Sequence, residues 1–227
     1  MVETRPVSGN GQPPPDETLA DIIRTLFPRE SLTTTPFRAR SYVFHQGSPV
    51  GHVYLITRGM MVLERIDESG RMAMFGTHGP GSLLGWQDLM NGRIHRSSGE
   101  AIAHCDVVMI AAEAFEAVLR ESEVLLIKLM QQAAVQASSY EEHIFRLSTL
   151  DVPDRLYHTL LHLAGDAKPD GATLEVDTPF MKRDIAALAG TTPETLSRGL
   201  RRLSKLRMAE FTEKNRFRIV VPKNDED

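Results

Sequence analysis

From about Phe37 to Ile110 the apolar residues come in short runs: Tyr42-Val43-Phe44, His52-Val53-Tyr54-Leu55-Ile56, Met61-Val62-Leu63 and Val107-Val108-Met109-Ile110. Glycines stand among them at positions 47, 51, 59, 70, 76, 79, 81, 85, 92 and 99. Short runs separated by a turn signal about every eight to twelve residues predict an all-β sandwich or barrel. Asp67-Glu68-Ser69-Gly70 predicts a hairpin turn between two of these strands. The expected unit is a β-roll.

The period changes at about Ala114. From there to Leu150 the chain has neither Pro nor Gly, and apolar or small residues recur at Leu126, Met130, Ala133, Ala137, Tyr140, Ile144 and Leu147, alternately four and three apart. These are the a and d positions of a heptad on a long helix, and the residues between them (Gln131, Gln136, Glu141, Arg146) are polar. A helix packed only on its own β-roll needs a broader apolar face. So narrow a stripe predicts a seam with a second copy, and Ala133 and Ala137 allow close approach. Val124 to Ile127, four apolar residues in a row, serve both contacts.

Asp151-Val152-Pro153 ends that helix, because the residue before a proline is pushed out of helical geometry, and a hinge between domains is expected there. Beyond it the sequence predicts an amphipathic helix over 155–164, a short helix over 181–189 and a turn at Gly190 suited to a left-handed cap. A further helix follows, with Thr191-Thr192 at its start, Pro193 at its first position and Glu194 in its first turn. The runs 208–211 and 216–221 predict a β-hairpin wing. The expected fold class is α+β: a disordered segment over 1–18, a jelly-roll-like β-roll over 19–113, a dimerisation helix over 114–150 and a winged helix-turn-helix over 151–227.

The formal charge is −4, yet residues 178–218 hold ten Lys/Arg against four Asp/Glu. A basic patch on an acidic chain is the footprint of a nucleic-acid surface, and the helical context favours that over a solvated charged face. The apolar positions Ile185, Leu188, Leu196, Leu200 and Leu203 pack two helices together and leave Glu194, Ser197, Arg198 and Arg201 on the free face of the second. In a major groove Arg donates twice to guanine, Glu accepts from cytosine N4, and Ser suits either. Thr192 opens this helix. Lys182, Arg202 and Lys205 lie on flanks suited to phosphate, which sets register rather than sequence. A bare surface ion pair between Glu194 and Arg198 is the plainer alternative.

These residues resemble those of the Crp/Fnr family of bacterial regulators, and the resemblance runs from Phe37 to Val221. Gly59, Gly70, Gly81 and Gly85, the long helix ending at Leu150-Asp151 and the helix-turn-helix fall in family order. Glu194, Ser197 and Arg198 match the Glu-x-x-Ser-Arg reading motif of the Fnr-like branch. The Crp branch has an arginine in place of Pro193 and a glycine in place of Ser197. The resemblance implies a homodimer on double-stranded DNA, TTGA-type half-sites in an inverted repeat, RNA polymerase as a partner and an effector bound at the β-roll.

Relatives that bind cyclic AMP carry Gly-Glu and then Arg-Ser or Arg-Thr ten residues after the Glu. Here the segment reads Gly85-Trp86, then Arg96-Ser97, so Trp86 replaces the carboxylate expected on the ribose. The hydroxyl pair expected on adenine falls at Tyr140-Glu141. Arg96 and Ser97 can still hold a phosphate. Cyclic AMP is therefore disfavoured, and an anionic or aromatic effector contacting Gly85, Trp86, Arg96, Ser97 and Tyr140 is the weaker idea that survives. A cyclic-nucleotide-responsive regulator stays as the alternative.

Cys105 is the single cysteine, which rules out a four-cysteine iron–sulfur cluster or a disulfide framework and fits a reducing cytoplasm. Haem stays open, with His45, His52, His78, His95, His104 and ten Met as axial candidates. His104 and Cys105 point to opposite faces of a strand, and His158 with His162 lacks a third ligand nearby, so no metal site is expected. No apolar run approaches the roughly 18 residues of a membrane span, and no signal pattern opens the chain. Two rivals were weighed. A metal-dependent jelly-roll enzyme would want His-x-His on a strand, which the chain lacks. A cyclic-nucleotide module without transcriptional output would leave the helix-turn-helix without a use.

Overall fold

The computed structural model describes residues 18–165, 172–213 and 215–221. Most of the segment expected to be disordered, 1–17, lies outside them. The chain divides into two compact units, one of residues 1–62 and 77–140, the other of residues 63–76 and 141–227.

The chain enters through α1 (Leu19–Leu26), a helix that the β-roll reading passed over. Its signal was the Thr18-x-x-Asp21 capping box: Thr18 Oγ1 accepts from the Asp21 amide at 3.2 Å, and the Thr18 amide donates back to Asp21 Oδ2 at 3.3 Å. Eight strands follow: β1 (Thr33–Phe37), β2 (Tyr42–Phe44), β3 (His52–Arg58), β4 (Met61–Ile66), β5 (Met72–His78), β6 (Leu83–Leu84), β7 (Ser98–Ala101) and β8 (Cys105–Ala111). They form two four-stranded sheets, of order β1-β8-β3-β6 and β2-β7-β4-β5. This is the expected β-roll, and the turn 67–70 joins β4 to β5 as read. Helix α2 (Trp86–Met90) stands between β6 and β7.

The buried β3–β8 pair, in register from Val53 against Ile110 to Ile56 against Val107, lays Val53, Leu55, Val108 and Ile110 into one apolar cluster. Ile22, Ile23 and Phe27 of the entry segment join it. Each large side chain buried this way contributes about 1.5–3 kcal/mol.

The single helix expected over 114–150 is two. Helix α3 (Ala112–Glu121) stops at Ser122, whose backbone is extended at φ −112° and ψ 98°. Helix α4 (Glu123–Thr149) starts afresh, with Ser122 Oγ accepting from the Leu125 amide at 3.2 Å. Serine ends helices in this way by offering the backbone a competing acceptor, which a periodicity argument does not see.

In the second unit α5 (Val152–Ala164) begins at Asp151, whose carboxylate caps the Asp154 amide. Then come β9 (Thr173–Asp177), α6 (Lys182–Leu188), α7 (Pro193–Lys205), β10 (Ala209–Glu213) and β11 (Arg216–Val220). The wing is a three-stranded sheet of order β10-β11-β9, one strand more than the hairpin expected. Asp151, where the hinge is expected, lies in the unit of residues 63–76 and 141–227. Two contacts bind the turn: a Cβ at Gly190 would lie 2.5 Å from Leu147, and Arg155 donates to the Leu150 carbonyl at 2.9 Å.

Candidate nucleic-acid interface

Helices α6 and α7 meet at a tight turn. Gly190 holds φ +62°, a left-handed geometry that favours glycine. Thr192 then caps α7, its hydroxyl accepting from the Thr195 amide at 3.3 Å. Successive positions on a helix advance about 100°, so Glu194, Ser197, Arg198 and Arg201 share one fan. All four are exposed, while Leu196, Gly199 and Leu203 on the opposite side are buried. Gly199 is small by necessity: a Cβ there would meet Leu156 at 2.5 Å, so α7 lies tightly against α5.

Arg198 donates to Thr195 Oγ1 at 3.1 Å, and Ser197 Oγ donates back to the Pro193 carbonyl at 3.0 Å. The Glu194 carboxyl titrates below its ordinary value, first through its own backbone N–H, then through Thr192, with the Arg198 charge adding to these. The fan therefore presents one anion and two cations. Four other cations are already neutralised: Arg216 pairs with Asp177 at 2.7 Å, Arg218 with Glu175 and Glu210, Arg202 with Asp151 at 3.2 Å and Arg183 with Asp184 at 3.4 Å. Arg198, Arg201 and Lys205 have no carboxylate within 4.0 Å among the described residues. Of the described cations in residues 178–218 without such a pair, Arg198, Arg201 and Lys205 stand on α7, Lys182 on α6 and Arg207 just past the end of α7. Lys182 lies 5.3 Å over the Phe211 ring, a contact that the phosphate reading did not foresee.

Behind the turn, Arg155 donates to the carbonyls of Leu150, Ala189 (3.1 Å) and Gly190 (3.5 Å). Sequence reasoning missed it because all three partners are backbone. His143 titrates below its ordinary value through burial first, then the charges of Arg146, Arg155 and His162. His162 is lowered as well, by burial and then Arg146. A histidine depressed in the fold is protonated more readily when unfolded, so its stabilising contribution is present above the unfolded value of about 6.5 and is lost as pH falls from there through the folded value. Urea unfolding should show stability declining below about pH 6.5. His143→Gln/His162→Gln should flatten that decline, and an unchanged slope would refute the assignment.

In the first unit, the residues expected at the effector site gather around α2. Gly85 precedes it at φ +84°, where a Cβ would meet the His52 carbonyl at 3.2 Å and Tyr54 at 3.3 Å. Trp86 is half-buried against the apolar cluster, with its Nε1 shut off from solvent and unpartnered. Its indole is thus turned with Nε1 toward the interior, while the residue as a whole stays partly exposed. Arg96 lies 3.3 Å from Asp88, a partner the sequence reading omitted, and Ser97 is half-buried beside it. Gln87 donates to Gln136 at 2.8 Å, and Gln136 donates to the Tyr140 hydroxyl at 2.9 Å.

Of the haem candidates, His95 is buried, stacked on Phe44 at 4.3 Å, and His104 lies 3.5 Å from Asp106. Among the described residues no three His, Cys, Asp or Glu are grouped to hold a metal ion. None of their helices is long and apolar enough to cross a membrane.

Along α4, Leu125 and Leu129 are buried in the apolar cluster, whereas Leu126, Met130, Tyr140, Ile144 and Leu147 are exposed. Ala133 is half-buried and Ala137 exposed. The seven stripe positions remain largely uncovered in one chain, with Met130 at 64% and Ile144 at 61% exposure.

Comparison with known proteins places this geometry. A cyclic nucleotide-binding domain model matches residues 34–122, and a Crp-like helix-turn-helix domain model matches residues 154–224. The cAMP-activated global transcriptional regulator CRP of Salmonella typhimurium is 26% identical over 172 residues, 74% of this chain and 80% of that protein. The nitrogen fixation regulation protein FixK of Azorhizobium caulinodans is 26% identical over 170 residues, 74% of this chain and 67% of that protein. Among solved structures, the c-di-GMP responsive regulator CLP of Xanthomonas campestris superposes with a TM-score of 0.77 at 20% identity, covering 89% of this chain and 98% of that one. FixK2 of Bradyrhizobium japonicum does so at 0.71 and 22%, covering 85% and 93%.

Proposed function

The chain belongs to the Crp/Fnr family of DNA-binding transcription regulators, and from that premise we propose that it works as a homodimer reading an inverted repeat with TTGA-like half-sites. One observation carries the reading. The outward fan of α7 holds Glu194, Ser197, Arg198 and Arg201, opposite its buried Leu196 and Leu203, and both of its arginines lack a carboxylate partner. Two copies of α7 related by a twofold enter successive major grooves about 34 Å apart. Arg198 reads guanine, Glu194 the cytosine of the other strand, and Ser197 sits near a thymine. Arg201, Lys182 and the Thr192 end of α7 hold the backbone. The stripe from Leu126 to Leu147 is the dimer seam. An effector at Gly85, Trp86, Arg96, Ser97 and Tyr140 controls the dimer, RNA polymerase is its partner on DNA, and the cytoplasm is its compartment. The relatives point to a regulator rather than an enzyme.

The test compares Arg198→Ala with Lys182→Ala on a matched inverted repeat and on random DNA at fixed salt. Arg198→Ala should lose about 1–3 kcal/mol on the matched site and little on random DNA. Lys182→Ala should weaken both alike and lower the salt slope. Equal losses on both DNAs for Arg198→Ala would make it a phosphate clamp and reverse the orientation of the helix.

A further inference from the structure

Asp88, the third residue of α2, sits between two donors of Arg96 and the imidazole of His95. Its Oδ2 accepts from the Arg96 amide at 3.2 Å, and its Oδ1 lies 3.3 Å from Arg96 Nε. His95 Nδ1 lies 3.5 Å from Oδ2. His95 is itself 1% exposed, wedged between Phe44 at 4.3 Å and Tyr54 at 6.1 Å, so it cannot swing away without opening the roll. The Asp88 side chain is largely shielded, while Arg96 reaches solvent. Burial pushes the Asp88 carboxyl up, but hydrogen bonds from His95 and from the backbone and side chain of Arg96 outweigh it and hold the group ionised.

A backbone N–H, a guanidinium and an imidazole converging on one point make an anion site, and here the protein supplies the anion. We infer that Asp88 is the cassette's own counter-ion, which fills the place beside Arg96 that a phosphate-bearing ligand would take and so excludes such ligands from the wild-type sensor. The inference rests on the reading of Arg96 and Ser97 as the effector site. An incoming phosphate would meet a carboxylate already on Arg96 Nε. Like charges at such a separation in a shielded site repel strongly. The neighbouring residue, Gln87, ties the same short helix to Gln136 and through it to Tyr140, so α2 is held from both sides by the protein itself.

Calorimetry on the full chain tests this, with cyclic AMP and inorganic phosphate as separate probes of the phosphate group. Wild type should bind neither appreciably at millimolar concentration. Asp88→Asn, close in shape and neutral, should bind at least one about tenfold more tightly, and Asp88→Asn/Arg96→Ala should lose the gain. A response to inorganic phosphate alone would mark a bare anion site, and one to cyclic AMP alone a nucleotide site. Asp88→Ser, checked by circular dichroism, serves if the first variant fails to fold. No gain in either folded variant would overturn the role of Asp88. A gain that survives Arg96→Ala would instead overturn Arg96 as the effector contact. Neither readout involves DNA, so the reading of α7 stands or falls separately.

Discussion

Ile144→Lys is expected to leave a folded monomer that no longer holds an inverted repeat. Ile144 is the sixth of the seven positions in the stripe of α4 and is 61% exposed in the single chain, so the substitution is tolerated there. In a dimer the twofold would place two unpaired ammonium groups at the seam. An uncompensated buried charge costs about 4 kcal/mol, roughly a thousandfold in the association constant. Val135→Lys is the matched control. Val135 is 73% exposed but lies about 180° round the helix from Ile144, where no partner helix is expected. Sedimentation at micromolar concentration should give monomer for Ile144→Lys and dimer for Val135→Lys. A full dimer in both would remove the seam.

Gly59→Ala is expected to be the most damaging single methyl in the β-roll. Gly59 turns β3 into β4 at φ +90°, and an added Cβ would overlap the His104 carbonyl and come within 2.7 Å of Cys105 Sγ. Cys105 is fully buried and the His104 oxygen belongs to the backbone, so neither gives way cheaply. Left-handed strain adds about 1–2 kcal/mol to the clash, and together roughly 4 kcal/mol or more should be lost. At this chain length that lowers Tm by about 8–16 °C. Gly70→Ala separates the two causes. Gly70 has the same left-handed geometry at φ +79° but nothing within 4 Å, so only the strain remains. Equal shifts in the two variants would show that the packing at Gly59 is not what glycine serves there.

That pair illustrates what was legible. Both glycines read from the sequence as turn signals between strands, and both are; only the folded surroundings distinguish an open turn from a crowded one. The α7 fan was equally legible, because helix period, capping residues and side-chain chemistry are all local. What stayed hidden depended on partners distant in sequence or on backbone atoms. The Asp151–Arg202 pair spans two helices, and Arg216 and Arg218 are neutralised by β9, a strand that short length and mixed polarity concealed. Arg155 binds carbonyl groups, which every residue has. Asp88 went unremarked because a lone carboxylate in a five-residue helix has no periodic signature. The break at Ser122 was missed because an apolar pattern can continue across a change of axis.

The three carbonyl bonds of Arg155 make the bend between α4 and α5 a gear more than a joint. One planar guanidinium, charged at every accessible pH, spans the last turn of α4 and the loop that aims α7. A rotation of that last turn would therefore pull on the loop through the same side chain. Helix α7 is 13 residues, or about 20 Å, long. Tilting it about its start by roughly 10° carries the far end about 3.4 Å, the rise of one base pair. On the proposed reading of α7, the grip of a single side chain on three peptide oxygens therefore bears on where along a groove that helix would lie.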